Sequence, residues 1–129
     1  MENKKPKIVL IDDKYCASLL NGSKVVTDKF EIINTADGKE GVKLVLLHLP
    51  DVVISDVTTP NGDIFYILEK LKNDPRTKDI PVIAFTTLCS ADDKEEVKKS
   101  GADDYILKHE CTPEKLAKRI DDILKNKKL

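Results

Sequence analysis

Five short, mostly aliphatic runs, each separated from the next by a helix-length segment, constrain this chain more than any other feature. They are Lys7–Ile11, Glu31–Thr35, Val52–Ser55, residues 81–85 and Asp104–Leu107. Runs this short and this apolar read as strands buried on both faces. Between them, Ile64, Ile67, Leu68 and Leu71 fall at i, i+3, i+4 and i+7. Leu116, Ile120, Ile123 and Leu124 fall at i, i+4, i+7 and i+8, so each segment lays one apolar stripe on a sheet. Strands alternating with helices through short loops predict an α/β domain: a parallel sheet, right-handed crossovers and helices on both faces. The 129 residues suffice for one such core, and a single domain over 1–129 is expected.

Helix ends carry their own signals. Asp37 with Glu40, and Ser90 with Asp93, have the spacing of a capping box, and Thr112-Pro113 reads as an N-cap followed by proline at the first helical position. Gly101, behind Lys98-Lys99-Ser100, reads as a C-cap. Two segments conflict with this scheme. The first helix should span 13–29, yet Asn21-Gly22-Ser23 lies in its middle, where glycine costs about 1 kcal/mol relative to alanine; a kink or an early end is expected. Residues 42–49 are apolar almost all round. The capping box before them and Pro50 after them favour helix, which leaves Leu44 and Leu47 off the core stripe and on the surface. The segment 91–100 has only Ala91 and Val97 to bury among charged residues, so its local stability should be low.

A formal net charge of −1 supplies no field that would gather nucleic acid or an anionic membrane. The N-terminal MENKKPK precedes no signal-peptide core, and no apolar run approaches the roughly 18 residues of a membrane span, so a cytoplasmic location is expected. Cys16, Cys89 and Cys111 are odd in number and widely spaced, which suits reduced packing residues rather than a disulfide or zinc site. His48 and His109 have no partner pattern and read as surface residues.

In an open parallel sheet the ligand site lies beyond the carboxyl ends of the strands. Here those ends carry Asp12-Asp13, Asp56, Thr86-Thr87 and Lys108. An acidic pair can simply cap a helix, a strand-end threonine can close a turn, and a loop lysine can be solvated. Convergence from four separate places favours a site. Carboxylates about 4 Å apart repel by roughly 4 kcal/mol at an effective dielectric of 20, so they persist together only with a cation, a lysine or raised pKa values. Oxygen ligands with room for water suit magnesium. Such a site can hold a phosphoryl group, with Lys108 as a second positive charge, Thr86 as a hydroxyl donor and one carboxylate as nucleophile. Asp56 stands alone after the central strand and is the candidate nucleophile; the pair Asp12-Asp13 suits the metal.

These residues resemble the receiver domains of two-component response regulators over nearly the whole chain. The matching elements are LIDDK, PDVVISDV, VIAFTT and GADDYILK, with Asp56 and Thr86 separated by 86 − 56 = 30 residues and Asp56 and Lys108 by 108 − 56 = 52. The resemblance implies a flavodoxin-like doubly wound sheet of order 2-1-3-4-5. It implies that Asp56 accepts a phosphoryl group from a histidine kinase or phosphotransfer protein. Magnesium would be arranged by Asp12, acting through a water, with Asp13, Asp56 and the backbone carbonyl of Thr58. Lys108 would pair with the phosphoryl group, Thr86 would move toward it, and Tyr105 would be the switch aromatic that turns inward, changing a binding surface for an unknown downstream protein. Thr58 and Leu88 would flank the water that hydrolyses the phosphoaspartate. With no output domain in sight, the chain is expected neither to bind DNA nor to act as an enzyme beyond this self-directed chemistry.

The departures from the family pattern are specific. Thr59 stands where methionine is common and Ile64 where glycine is common. His109 follows the lysine where a cis proline is usual. A non-proline cis bond costs about 3 to 4 kcal/mol, so a trans peptide is expected, leaving the aim of Lys108 open. Two other readings compete: a receiver-like binding module that is never phosphorylated, and a magnesium phosphatase with an aspartyl nucleophile. Against the phosphatase, Thr58 occupies the place of a general acid and no cap domain is present. An FMN carrier of the same fold class is disfavoured because Asp12-Asp13 would repel a phosphate there.

Overall fold

The computed structural model describes residues 5–13, 20–87 and 91–127. In chain order the elements are β1 (Lys7–Ile11), α1 (Lys24–Thr27), β2 (Glu31–Thr35), α2 (Gly38–His48), β3 (Val52–Ser55), α3 (Ile64–Lys72), β4 (Val82–Thr86), α4 (Ala91–Lys99), β5 (Asp104–Leu107), a single 3₁₀ turn (Lys108–Glu110) and α5 (Pro113–Lys127). The strands form one sheet of order β2-β1-β3-β4-β5, all pairs parallel. This is the flavodoxin-like doubly wound sheet that the resemblance implied. One apolar layer packs α2, α3 and α4 on one face through Val45, Ile67, Leu68 and Val97. The other packs Val26, Leu116 and Ile120 of α1 and α5 on the opposite face.

Most expected boundaries hold, and the shifts have local causes. The fourth strand begins at Val82 rather than at Pro81, because proline has no N–H for the ladder; its carbonyl still accepts from Val53 N at 2.9 Å. The break expected at Asn21-Gly22-Ser23 is present. Leu20 and Asn21 are helical, Gly22 turns, and α1 starts afresh behind Ser23 in an extended conformation. The earlier part of that helix, 14–19, lies outside the described residues.

Residues 42–49 form the end of α2 and the residue that caps it. Asp37 accepts from Glu40 N at 2.8 Å to cap the helix start, and Leu49 closes the other end in the left-handed region. Leu47 is exposed as expected, at 74%. Leu44 corrects the expectation: it is half-buried against the core, because the apolar stripe of α2 is wider than a single row. Thr112 accepts from Lys115 N, confirming the cap of α5, and Gly101 has φ +116, a conformation that favours glycine. His109 is exposed and His48 half-buried. Cys111 is free and half-buried, whereas Cys16, Cys89 and the capping residue Ser90 lie outside the described residues.

Candidate functional site

The parallel registers bring the strand ends level. Ile11 pairs with Ser55, Ser55 with Ala84, and Thr86 with Leu107, so the residues that follow emerge side by side at one edge. Backbone bonds carry this alignment past the strands: Asp12 N donates to Thr35 O and Asp56 N to Ile11 O, both at 2.9 Å. Each carboxylate is then turned by its own neighbour. Asp13 N donates to Asp12 Oδ1 and Val57 N to Asp56 Oδ1, both at 2.7 Å.

Lys108 completes the cluster. Its Nζ donates to Asp12 Oδ1 at 2.9 Å and to Asp56 Oδ2 at 3.2 Å, and lies 5.6 Å from the centre of the Phe85 ring. It reaches both acids although no peptide bond among the described residues is cis. The 3₁₀ turn that begins at Lys108 therefore does the aiming without the proline usual in the family. Asp12 is fully buried and Asp56 largely so, with 19% of its side chain exposed, while Asp13 faces solvent. The acidic pair thus splits into one buried and one exposed carboxylate.

Burial pushes the Asp12 carboxyl up, against the pull of the hydrogen bonds from Lys108 and the Asp13 amide. Burial also disfavours the Lys108 charge, yet the hydrogen bond and field of Asp12, joined by Asp56, outweigh it and hold the ammonium well above its ordinary range. Lys108 is charged at neutral pH, and it is the cation that lets Asp12 and Asp56 sit together.

Thr86, the last residue of β4, is buried at 1% exposure, and Tyr105 in β5 at 8%. The Tyr105 ring is packed inward, in the layer that holds α4. Thr58 is exposed in the loop after Asp56, and Leu88 lies outside the described residues. The structure brings Asp12, Asp56 and Lys108 into direct contact.

The donors of this cluster fit magnesium. Asp12 Oδ2 lies 2.9 Å from Lys108 Nζ but without hydrogen-bond geometry, and is the one buried side-chain oxygen among the described residues with no hydrogen-bond partner. A hard, oxygen-only set with a spare buried lone pair suits a small dication. Among the described residues no three acidic, histidine or cysteine side chains already enclose a point in space.

Sequence reasoning missed the supports of this site. The Thr59 hydroxyl donates to Gly62 O, and the Asn61 amide donates to the Asp37 carboxylate. Ile64, at the place where glycine is common, is fully buried at the start of α3, its N–H bonded to Val57 O at 3.0 Å. The dipeptide Asn61-Gly62 was a legible turn signal, with φ of 59 and 137; its partner across the chain was not.

Comparisons with known proteins place this geometry in a family. The response regulator receiver domain family matches residues 8–121. The chain is similar to the DNA-binding dual master transcriptional regulator RpaA of Synechocystis, 34% identical over 88% of this chain and 47% of that protein. It is also similar to the response regulator PleD of Caulobacter vibrioides, 32% identical over 79% of this chain and 22% of that protein. The chain thus spans less than half the length of these two curated relatives. A putative response regulator from Chloroflexus aurantiacus superposes with a TM-score of 0.83 at 25% identity, covering 95% of this chain and 99% of that one. The chain belongs to the response regulator receiver domain family of two-component signalling.

Proposed function

We propose that this receiver accepts a phosphoryl group on Asp56 from a histidine kinase or histidine phosphotransfer protein, with magnesium held by Asp12, Asp13, Asp56 and the Thr58 carbonyl. The observation that carries the reading is the Lys108 ammonium, which bridges the two carboxylates from a third strand end. A carboxylate oxygen of Asp56 forms the new bond to phosphorus, the bond from phosphorus to the donor breaks, and its electron pair leaves with the donor. Magnesium, when bound, supplies charge neutralisation for the phosphoryl oxygens. Lys108 stays beside the acceptor oxygen and offsets the charge that develops there. Thr86, at the adjoining strand end, donates its hydroxyl to the new group, and Tyr105, whose ring already packs inward, is held there by that movement. The changed face then binds a downstream protein.

The chain itself is not assigned an independent enzymatic activity, DNA contact or membrane contact. We place it in the cytoplasm, alongside a kinase; no helix among the described residues is long and apolar enough to cross a membrane.

One observation favours a second reading. Lys108 is ion-paired with both Asp12 and Asp56 and offsets part of their charge, so the two carboxylates have a cation of the chain's own, as a receiver-like module that is never phosphorylated would require. Intact-mass measurement after incubation with magnesium and acetyl phosphate separates the two. One added phosphoryl group, absent in Asp56→Asn and without magnesium, is expected. No adduct from acetyl phosphate or from a phosphorylated histidine donor would leave the second reading standing.

A further inference from the structure

We propose that Asp37 and Asn61 are positioning residues, forming a bracket that fixes the segment carrying Asp12 relative to the segment carrying Asp56 and Thr58. The bracket sits where the end of β2 meets the loop after β3. Thr35 O receives Asp12 N at 2.9 Å, and Thr35 Oγ1 receives Asp37 N at 3.2 Å. One Asp37 oxygen caps α2 through Glu40 N, a task that needs no second oxygen; the other receives the Asn61 amide. Gly38 N then donates to Pro60 O at 2.9 Å. A hydrogen-bonded path therefore runs from the Asp12 backbone, through Thr35 and Asp37, to the loop that begins at Asp56.

Three features show that this junction is built for close approach. A Cβ on Gly38 would lie 1.8 Å from Gly62 O, so only glycine lets the two backbones meet. Asn61 is held at φ 59, a conformation that asparagine tolerates better than most side chains and that aims its amide at Asp37. The Thr59 hydroxyl closes the turn onto Gly62 O, which accounts for threonine where the family commonly has methionine. The Asp37 carboxyl is held below its ordinary range by the Glu40 amide and by Asn61, in keeping with an ionised acceptor at both contacts.

The chemical consequence rests on the reading of Asp12, Asp13, Asp56 and Thr58 as the magnesium site; the mechanical claim does not. Two substitutions isolate the side-chain link. Asn61→Gly keeps the left-handed backbone and removes the amide. Asp37→Ser keeps a capping oxygen for Glu40 and removes the second one. Amide hydrogen exchange in magnesium-free protein is read at Asp13 and Val57, whose N–H groups bond the two carboxylates, and at Ile54 and Val82 as core controls.

Each variant should speed exchange at Asp13 and Val57 by roughly two- to tenfold, the range of one hydrogen bond, with the controls unchanged. The double variant should match the stronger single one. Magnesium affinity, read by calorimetry, should fall by a similar factor. Unchanged exchange at Asp13 and Val57 in both variants overturns the bracket, as does a uniform rise that includes the controls. If the wild-type chain binds no magnesium while exchange responds as expected, the bracket stands and the metal assignment fails. If it binds magnesium and neither variant alters either readout, the bracket fails and the assignment stands.

Discussion

Helices α3 and α4 are each nine residues long and lie on the same face of the sheet, yet the sheet holds them very differently. Helix α3 buries Ile64, Ile67, Leu68 and Leu71 completely, which contributes roughly 6 to 12 kcal/mol of transfer free energy from four side chains. Its last turn is tied down as well. The buried Thr77 hydroxyl donates to Leu71 O at 2.7 Å, and Lys72 Nζ donates to Ile80 O and Asp103, both at 2.9 Å. Helix α4, among its described side chains, buries Val97 alone. Its support is mainly electrostatic, with Asp92 and Asp93 in the first turn and Lys98 and Lys99 in the last, each worth a fraction of a kcal/mol against the helix dipole. The lesson is one of placement. The helix after Asp56 is anchored, so that carboxylate stays fixed, while the helix between Thr86 and Tyr105 can shift at small cost.

Hydrogen exchange offers the largest contrast. Amides in the middle of α3 should exchange only with global unfolding and those of α4 through local opening, a gap of roughly 3 kcal/mol or over a hundredfold in rate. Equal protection of the two helices would break the comparison. Alanine substitution sharpens it next. Ile67→Ala should destabilise the fold by about 2 to 5 kcal/mol in urea unfolding, whereas Val97→Ala, which removes fewer carbon atoms, should cost about 1 to 2 kcal/mol. The smallest change concerns the junction of the two helices. Gly101→Ala imposes a side chain at φ +116 and brings its Cβ to 3.2 Å from Lys72 Cγ, so a loss of about 1 kcal/mol is expected in the same unfolding measurement.

Much of this architecture was legible because the relevant signals are local. Strands buried on both faces are mostly aliphatic, so β1 and β3 announce themselves, and the i, i+3, i+4, i+7 stripe of α3 names its buried residues one by one. The candidate site was legible for a related reason. In a parallel sheet with helical crossovers every strand points the same way, so polar residues following the strands gather on one edge wherever they fall in the chain.

What was not legible depends on pairing across distance. That Asp12 turns inward while Asp13 faces solvent follows from the level ending of β1 beside β3, which no run of adjacent residues reveals. The Asn61 contact with Asp37 joins residues 24 apart, each of which reads by itself as an ordinary turn or cap residue.

By itself, the amino-acid order determined the alternating elements, the two-layer covering of the sheet and the set of charged groups at its carboxyl edge, since periodicity and burial act over a few residues at a time. Tertiary structure alone decided where the Lys108 ammonium goes. A flexible lysine stem ahead of a trans peptide can point many ways, and only the buried Asp12 carboxylate, unable to remain charged in an apolar interior without a partner, selects one of them.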